Sequence, residues 1–171
     1  MEVKPVRIED WMKFPVHTVK PMDSVAHARA MLEQYRVNQL PVVVNRRLVG
    51  IVTDRDLRTA SPSAVEVAAV DARRLARLSL EPERTPVERV MTEKVITLGP
   101  KDTIEQAARI MMRERIGSIP IVENRRMVGI ITRSDVLGAF LGLIAIAGAP
   151  SSNAKPAPRA RSKSTRSKTK K

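Results

Sequence analysis

Two segments of this 171-residue chain place the same chemical groups at the same spacing. Val49 to Arg58 reads VGIVTDRDLR, and Val128 to Leu137 reads VGIITRSDVL. In each, an aliphatic run ends in Thr, with an Asp three residues on: Thr53 with Asp56, and Thr132 with Asp135. The pattern predicts a buried strand that passes straight into a helix, starting near Asp54 and Arg133. A helix start carries free amide hydrogens and a partial positive charge, which suit phosphate. The Thr hydroxyl can donate to phosphate. An ionised Asp only accepts, so it suits a diol such as the ribose 2′,3′ pair. A plainer role fits the same residues. Thr53 and Thr132 can be N-caps, and Asp56 and Asp135 first-turn acids favoured by the helix dipole. Spacing alone leaves both open.

Nothing else in the chain points to catalysis. There is no Cys, which excludes thiol nucleophiles, disulfides and thiolate zinc sites. No P-loop, HExxH or Gly-rich dinucleotide fingerprint occurs. His17 and His27 read as surface histidines on a strand and a helix. Asp54 and Asp56 adjoin Arg55 and read as helix-start residues. The expectation is a protein that is not an enzyme, with no catalytic residue, no metal and no cofactor.

The elements that position the two Thr–Asp pairs are themselves duplicated. A shift of 79 residues aligns Met12–Leu57 with Met91–Val136 without a gap. Met12/Met91, Thr18/Thr97, Pro21/Pro100, Asp23/Asp102, Pro41/Pro120, Asn45/Asn124 and Gly50/Gly129 are identical pairs. A fixed internal period means two copies of one structural unit. In each copy a short β-like run (VHTV, VITL) is stopped by Pro, and Asp23 or Asp102 offers an N-cap. A helix follows, with apolar residues at helical spacing (Val25, Ala28, Met31, Leu32; Ile104, Ala107, Ala108, Met111). Two strands joined by a polar NRR turn come next, and then the second helix. TPVERVM ahead of the second copy predicts a short lead-in helix with Thr85 as cap, Pro86 at the first helical position and Glu88 closing a capping box. IEDWM holds the same place ahead of the first copy. Between the copies, Val65, Ala68, Ala69, Ala72, Leu75 and Ala76 mark an amphipathic helix.

Composition sets the surroundings. Hydrophobic residues make up 43% of the chain, enough for an aliphatic core, and the net charge is +13. Ser151–Lys171 holds eight basic and no acidic residues, leaving 23 basic and 18 acidic before it. With Pro, Ser and like charges but no apolar period, this tail is expected to be disordered. The apolar run Val136–Pro150 falls short of the ~20 residues that span a bilayer, and reads as a buried or interface helix rather than a membrane segment. MEVKPVRIEDW lacks the apolar core of a secretory leader. A cytoplasmic location is expected.

Three motif blocks occur once per copy. They are the apolar-Thr-apolar run (His17-Thr18-Val19; Ile96-Thr97-Leu98), the helix exit ending in Pro (Val37–Pro41; Ile116–Pro120), and Gly-x-x-Thr-x-x-Asp. With these, the chain resembles a tandem pair of CBS domains, the cystathionine-β-synthase type module, over roughly residues 8 to 141. It is most similar to small stand-alone CBS-pair proteins and the N-terminal half of acetoin-utilisation regulators. The resemblance implies an α/β fold of two CBS repeats, each strand-helix-strand-strand-helix, packed about a pseudo-twofold axis. On this division, 8–62 is repeat 1, 63–84 the inserted helix and linker, 85–148 repeat 2, and 149–171 the tail.

The resemblance also implies clefts for an adenosine-containing ligand (AMP, ADP, ATP or S-adenosylmethionine) and a homodimer. Carried over residue by residue, the ligand-binding positions are Thr18, Val37, Pro41, Thr53, Arg55 and Asp56 in the first copy. In the second they are Thr97, Ile116, Pro120, Thr132, Arg133 and Asp135. Adenine would lie against Val16, Val37, Ile51 and Pro41, or Val95, Ile116, Ile130 and Pro120. Relatives that bind nucleotides often carry a basic residue shortly before the Pro. Here Asn38, Gln39, Gly117 and Ser118 stand there, with Arg55 and Arg133 as substitutes and Arg36 and Arg115 to assist. Small Gly117 and Ser118 make the second cleft the more open one. The expected function is a regulatory module that senses such a ligand. Two alternatives remain: a nucleic-acid-associated protein held nonspecifically by residues 155–171, and a purely structural dimerisation module.

Overall fold

The computed structural model of the chain describes residues 5–60 and 84–148. The amphipathic helix expected within 63–84 falls outside them except for its last residue, and so does the tail from 149. Each copy contributes a helix, a two-stranded hairpin and a second helix. In the first copy these are α1 (Val25–Tyr35), β1 (Gln39–Val44), β2 (Arg47–Thr53) and α2 (Asp54–Ala60). In the second they are α3 (Ile104–Arg113), β3 (Ser118–Glu123), β4 (Arg126–Thr132) and α4 (Arg133–Gly148). No helix among the described residues is long and apolar enough to cross a membrane.

The hairpins follow from their turns. Asn45 and Arg46, and again Asn124 and Arg125, have φ between 50° and 65°. Two consecutive left-handed residues give the turn whose twist matches an antiparallel pair. Asn tolerates that conformation. Arg does so at a cost, and both copies accept it. One residue is extra on the second strand of each hairpin, between the Val42↔Gly50 and Val43↔Leu48 pairs and between Ile121↔Gly129 and Val122↔Met127. Such bulges bend the strand and raise its twist.

Three local expectations change. The runs VHTV and VITL reduce to single parallel bridges, Val19 to Val42 and Leu98 to Ile121. Pro21 and Pro100 follow too closely for a longer pairing. The N-caps are Ser24 and Thr103, which accept from the His27 and Gln106 amides. Asp23 and Asp102 sit one residue earlier and close the preceding turn, accepting from the Lys20 and Gly99 amides at 2.7 Å. The lead-ins Ile8–Asp10 and Val87–Arg89 are 3-10 turns without a side-chain cap. Pro86, not Thr85, stands at the cap position, and buried Thr85 instead offers its carbonyl to Val25.

The lead-ins also exchange. Ile8 and Glu9 donate to the carbonyls of Asp102 and Pro100, and Ile8 is buried in the core of the second copy with Ile104, Ile119 and Ile131. Val87 and Glu88 donate to Asp23 and Pro21, and Val87 is buried in the core of the first copy with Val25, Leu40 and Leu57. Lys13 then pairs with Ile130 on β4, and Thr92 with Ile51 on β2, each through two backbone bonds. Every hairpin is thus extended by a residue from the other copy.

The exchange explains the duplicated glycine. A Cβ on Gly50 would stand 2.5 Å from Met91 Sδ and 3.2 Å from the Thr92 carbonyl oxygen. On Gly129 it would stand 2.7 Å from Met12 Sδ and 3.2 Å from the Lys13 carbonyl oxygen. Both glycines let the other copy's lead-in lie flat on the strand. Trp11 has a comparable seat on α4, where Cβ atoms at Gly138 and Gly142 would meet its ring at 3.3 and 3.6 Å. Gly50→Ala and Gly129→Ala should each destabilise the fold by roughly 1–3 kcal/mol through overpacking. Gly99→Ala, whose Cβ would meet nothing closer than 3.6 Å, should be near neutral. Urea unfolding of the three variants checks this.

Candidate functional site

The strand-to-helix steps are built alike. In the first, Asp56 Oδ2 accepts from the Thr53 amide at 2.9 Å and from the Thr53 hydroxyl at 2.7 Å. Thr53 Oγ1 accepts in turn from the Asp56 amide at 3.3 Å. In the second, Asp135 Oδ2 accepts from the Thr132 amide and hydroxyl at 2.8 and 2.5 Å. Both pairs are half-buried. In both, the hydroxyl proton and one carboxylate oxygen are committed to the helix start; the cap bond onto the Thr oxygen is made at Thr53. The hydroxyl proton points to Asp, so what Thr can offer a phosphate here is not that proton. The second carboxylate oxygen is left over.

Its surroundings differ between the copies. Asp135 Oδ1 lies 3.1 Å from Lys13 Nζ, the carboxylate largely buried and the lysine 61% exposed. Asp56 has no ion pair among the described residues. The Lys13 position is set by the lead-in exchange, and its match in the other copy is Thr92.

A cleft of about 470 Å³ opens beside Asp135 and runs across both copies. Val16, His17, Val37 and Asn38 come from the first copy, Gly117, Ile130, Thr132 and Arg133 from the second, and Lys13 from the exchanged lead-in. Val16, Val37 and Ile130 give it aliphatic walls. Three cations line it. Arg133 is fixed by donating from Nε to the Ile116 carbonyl at 3.1 Å. Arg36 ends α1 in a left-handed conformation, φ 51°. Lys13 is held by Asp135. At the rim the His17 ring stacks on Tyr35, centroids 3.6 Å apart and planes 13° apart.

The residues singled out by sequence separate into groups. Val37, Thr132 and Arg133 meet in this cleft, with Val16 and Ile130 beside them and Asp135 reaching it through Lys13. Sequence order had placed Val16 and Val37 with Thr53 and Asp56, but the exchanged lead-in brings them to Thr132 instead. Pro41 and Pro120 are buried within their hairpins, opposite Ile51 and Ile130, and offer no face to a ligand. Thr18 is half-buried outside the cleft lining. Thr97 is exposed, in a separate hollow of about 330 Å³ with Arg47, Arg125 and Glu93. Arg55 is exposed on α2, and Ile116 serves through its carbonyl. Gly117 lines the cleft as expected, whereas Ser118 is buried and its hydroxyl has no partner among the described residues. Lys13 was not foreseen. The signal available was its mismatch with Thr92 at the 79-residue offset.

A repeated hairpin-helix unit with exchanged lead-ins and a Thr–Asp helix start at an inter-copy cleft defines a class. The chain belongs to the CBS domain family, which matches residues 8–63 and again residues 87–142. It is 29% identical to the CBS domain-containing protein YhcV of Bacillus subtilis, covering 75% of this chain and 81% of that protein. It is 34% identical to the inosine-5′-monophosphate dehydrogenase of Korarchaeum cryptofilum, over 76% of this chain but only 23% of the dehydrogenase. The likeness to that enzyme therefore spans less than a quarter of it. Among solved structures, CBSX2 in complex with AMP is 29% identical, covering 81% of this chain and 98% of that one with a TM-score of 0.67. The CBS domain pair of MJ0100, solved with 5′-methylthioadenosine and S-adenosyl-L-methionine, is 27% identical over 82% and 99% of the chains, TM-score 0.63. The acetoin utilization protein AcuB of Vibrio cholerae is 26% identical over 84% and 96%, TM-score 0.66.

The caps have a measurable weight. Asp56→Ala and Asp135→Ala should each lower stability by about 1 kcal/mol, the usual cost of losing a cap. Asp135→Ala should cost the more, since it also strips Lys13 of its partner. Denaturant melts of both variants check the order.

Proposed function

We propose that this protein is a regulatory module that binds an adenosine-containing ligand in the clefts between its two CBS copies. The observation that carries the reading is the cleft itself. Aliphatic walls suited to a base stand beside a helix start, an Asp oxygen not used by the helix, and three cations. The AMP and S-adenosyl-L-methionine complexes of similar CBS pairs support the same ligand class. The module acts by binding, and its output is a change in how the copies and their partners sit together. Thermal melting with AMP, ADP, ATP and S-adenosylmethionine tests it. A ligand that binds only the folded state at a hundred times its Kd should stabilise by about 2.7 kcal/mol. No shift with any of the four, and no binding by isothermal titration, would overturn the reading.

The partner surface of the module is the α3–α4 face. Leu137, Phe140, Leu141 and Ile144 on α4 and Met112 on α3 are all more than half exposed. Between them and residues 5–6 runs an apolar groove of about 870 Å³. Contiguous exposed apolar surface of this kind marks an interaction site, and a second copy of the chain is the proposed occupant. Sedimentation at micromolar concentration should show a dimer, and Phe140→Glu should shift it to monomer. A concentration-independent monomer would contradict the proposal. Eight cations in residues 155–171 favour a second, separable role in salt-dependent contact with polyanions.

A further inference from the structure

We propose that Lys13 makes the cleft at Thr132 selective for a phosphorylated ligand, while the matching site at Thr53 lacks that selectivity. The inference rests on the adenosine-ligand reading and adds to it the charge of the ligand each site takes.

The backbone treats the two sites alike. Lys13 bonds to Ile130 at 2.8 and 3.2 Å, and Thr92 bonds to Ile51 at 2.8 and 3.0 Å. The side chains then diverge. Where the Thr132 cleft has Lys13, Pro15, Arg36, Arg133 and Ser134, the offset places Thr92, Lys94, Arg115, Asp54 and Arg55. One set carries three cations against Asp135. The other carries three cations against two acids, Asp54 and Asp56, but none of the three is paired with Asp56 among the described residues. Asp54 is moreover paired with Arg58 at 2.8 Å and faces a partner of its own. A dianionic phosphate is therefore met at one site by a cation held on the spare oxygen of the helix-start Asp, and at the other by a threonine in that place.

Lys13 is the cation in the right state to meet it. Its ammonium has three donors, and among the described residues only Asp135 Oδ1 holds it. That bond keeps a long, mobile side chain at the cleft before any ligand arrives, which lowers the ordering cost on binding. Arg133 is tied to the Ile116 carbonyl, so part of its donor capacity is spent. Because Lys13 is well exposed, its attraction for phosphate should weaken with salt.

The test uses the full chain and methyl NMR, with Ile130 reporting the Thr132 cleft and Ile51 the Thr53 site, titrated with AMP and with adenosine. At Ile130, AMP should bind about tenfold or more tighter than adenosine, the scale of one hydrogen bond to a charged group. Lys13→Thr should remove most of that preference by weakening AMP alone, and Lys13→Arg should restore it. Ile51 should show little preference, and Thr92→Lys should create one. Added salt should erode the preference at Ile130 in the unmutated chain and not in Lys13→Thr. If Lys13→Thr binds AMP as tightly as the unmutated protein, Lys13 is not the determinant, and the adenosine reading stands without it. If neither compound moves Ile130 in the unmutated protein, both the selectivity and the adenosine reading fail at this cleft.

Discussion

Everything in this fold depends on one close approach, the exchanged lead-in lying flat on the glycine of the opposite hairpin. Met91 over Gly50 and Met12 over Gly129 leave no room for a Cβ. That contact positions Thr92 and Lys13 at the strand edges and seals each core with a residue from the other copy, Val87 or Ile8. It also brings Val16 and His17 to Thr132. Without it each hairpin would be a two-stranded ribbon with one exposed edge, which is marginal in water. The cleft at Thr132 is a by-product of the same geometry, since both copies must meet for its walls to exist.

The Thr–Asp pair divides its hydrogen bonds between separate atoms. The amide, the hydroxyl and Oδ2 close the helix start; Oδ1 is held by Lys13 in the second copy and has no ion partner among the described residues in the first. A polar group already fixed by its own hydrogen bonds needs little reordering to meet a ligand. Starting the helix leaves the other carboxylate oxygen for a different partner, as Lys13 shows at Asp135. Such a division also explains why the two copies can keep an identical helix start while diverging in what surrounds it, as Lys13 and Thr92 do.

Much of the fold was legible because its signals are local. The offset of 79 residues, the NRR turns and the aliphatic strands appear in the sequence as they do in the structure. Finer choices were not legible. Asp23 and Ser24 are both good caps, and only the backbone decides that Ser24 caps while Asp23 closes the turn before it. Likewise Thr85-Pro86 reads as a helix start, yet Met91 must reach Gly50 within a few residues, and a single 3-10 turn leaves the chain extended enough to do so. The site suffered most. Which residues share a cleft depends on the exchange, a long-range fact with no local signature: Val16 and Val37, expected beside Thr53, line the cleft at Thr132. Pro41 and Pro120 were read as walls because a Pro at a strand start says nothing of which face it presents.

The exchange has a further consequence for descent. A lone copy, with its own lead-in and hairpin, leaves a gap over its glycine that only another copy's methionine fills. A single-unit forebear of this chain would therefore have been obliged to associate with itself, each subunit lending its first residues to its twin. Fusion of two such genes would have turned a symmetric partnership into one polypeptide and freed each half to drift. The contrast between Lys13 and Thr92 is the kind of difference that symmetry forbids to identical subunits and that duplication permits.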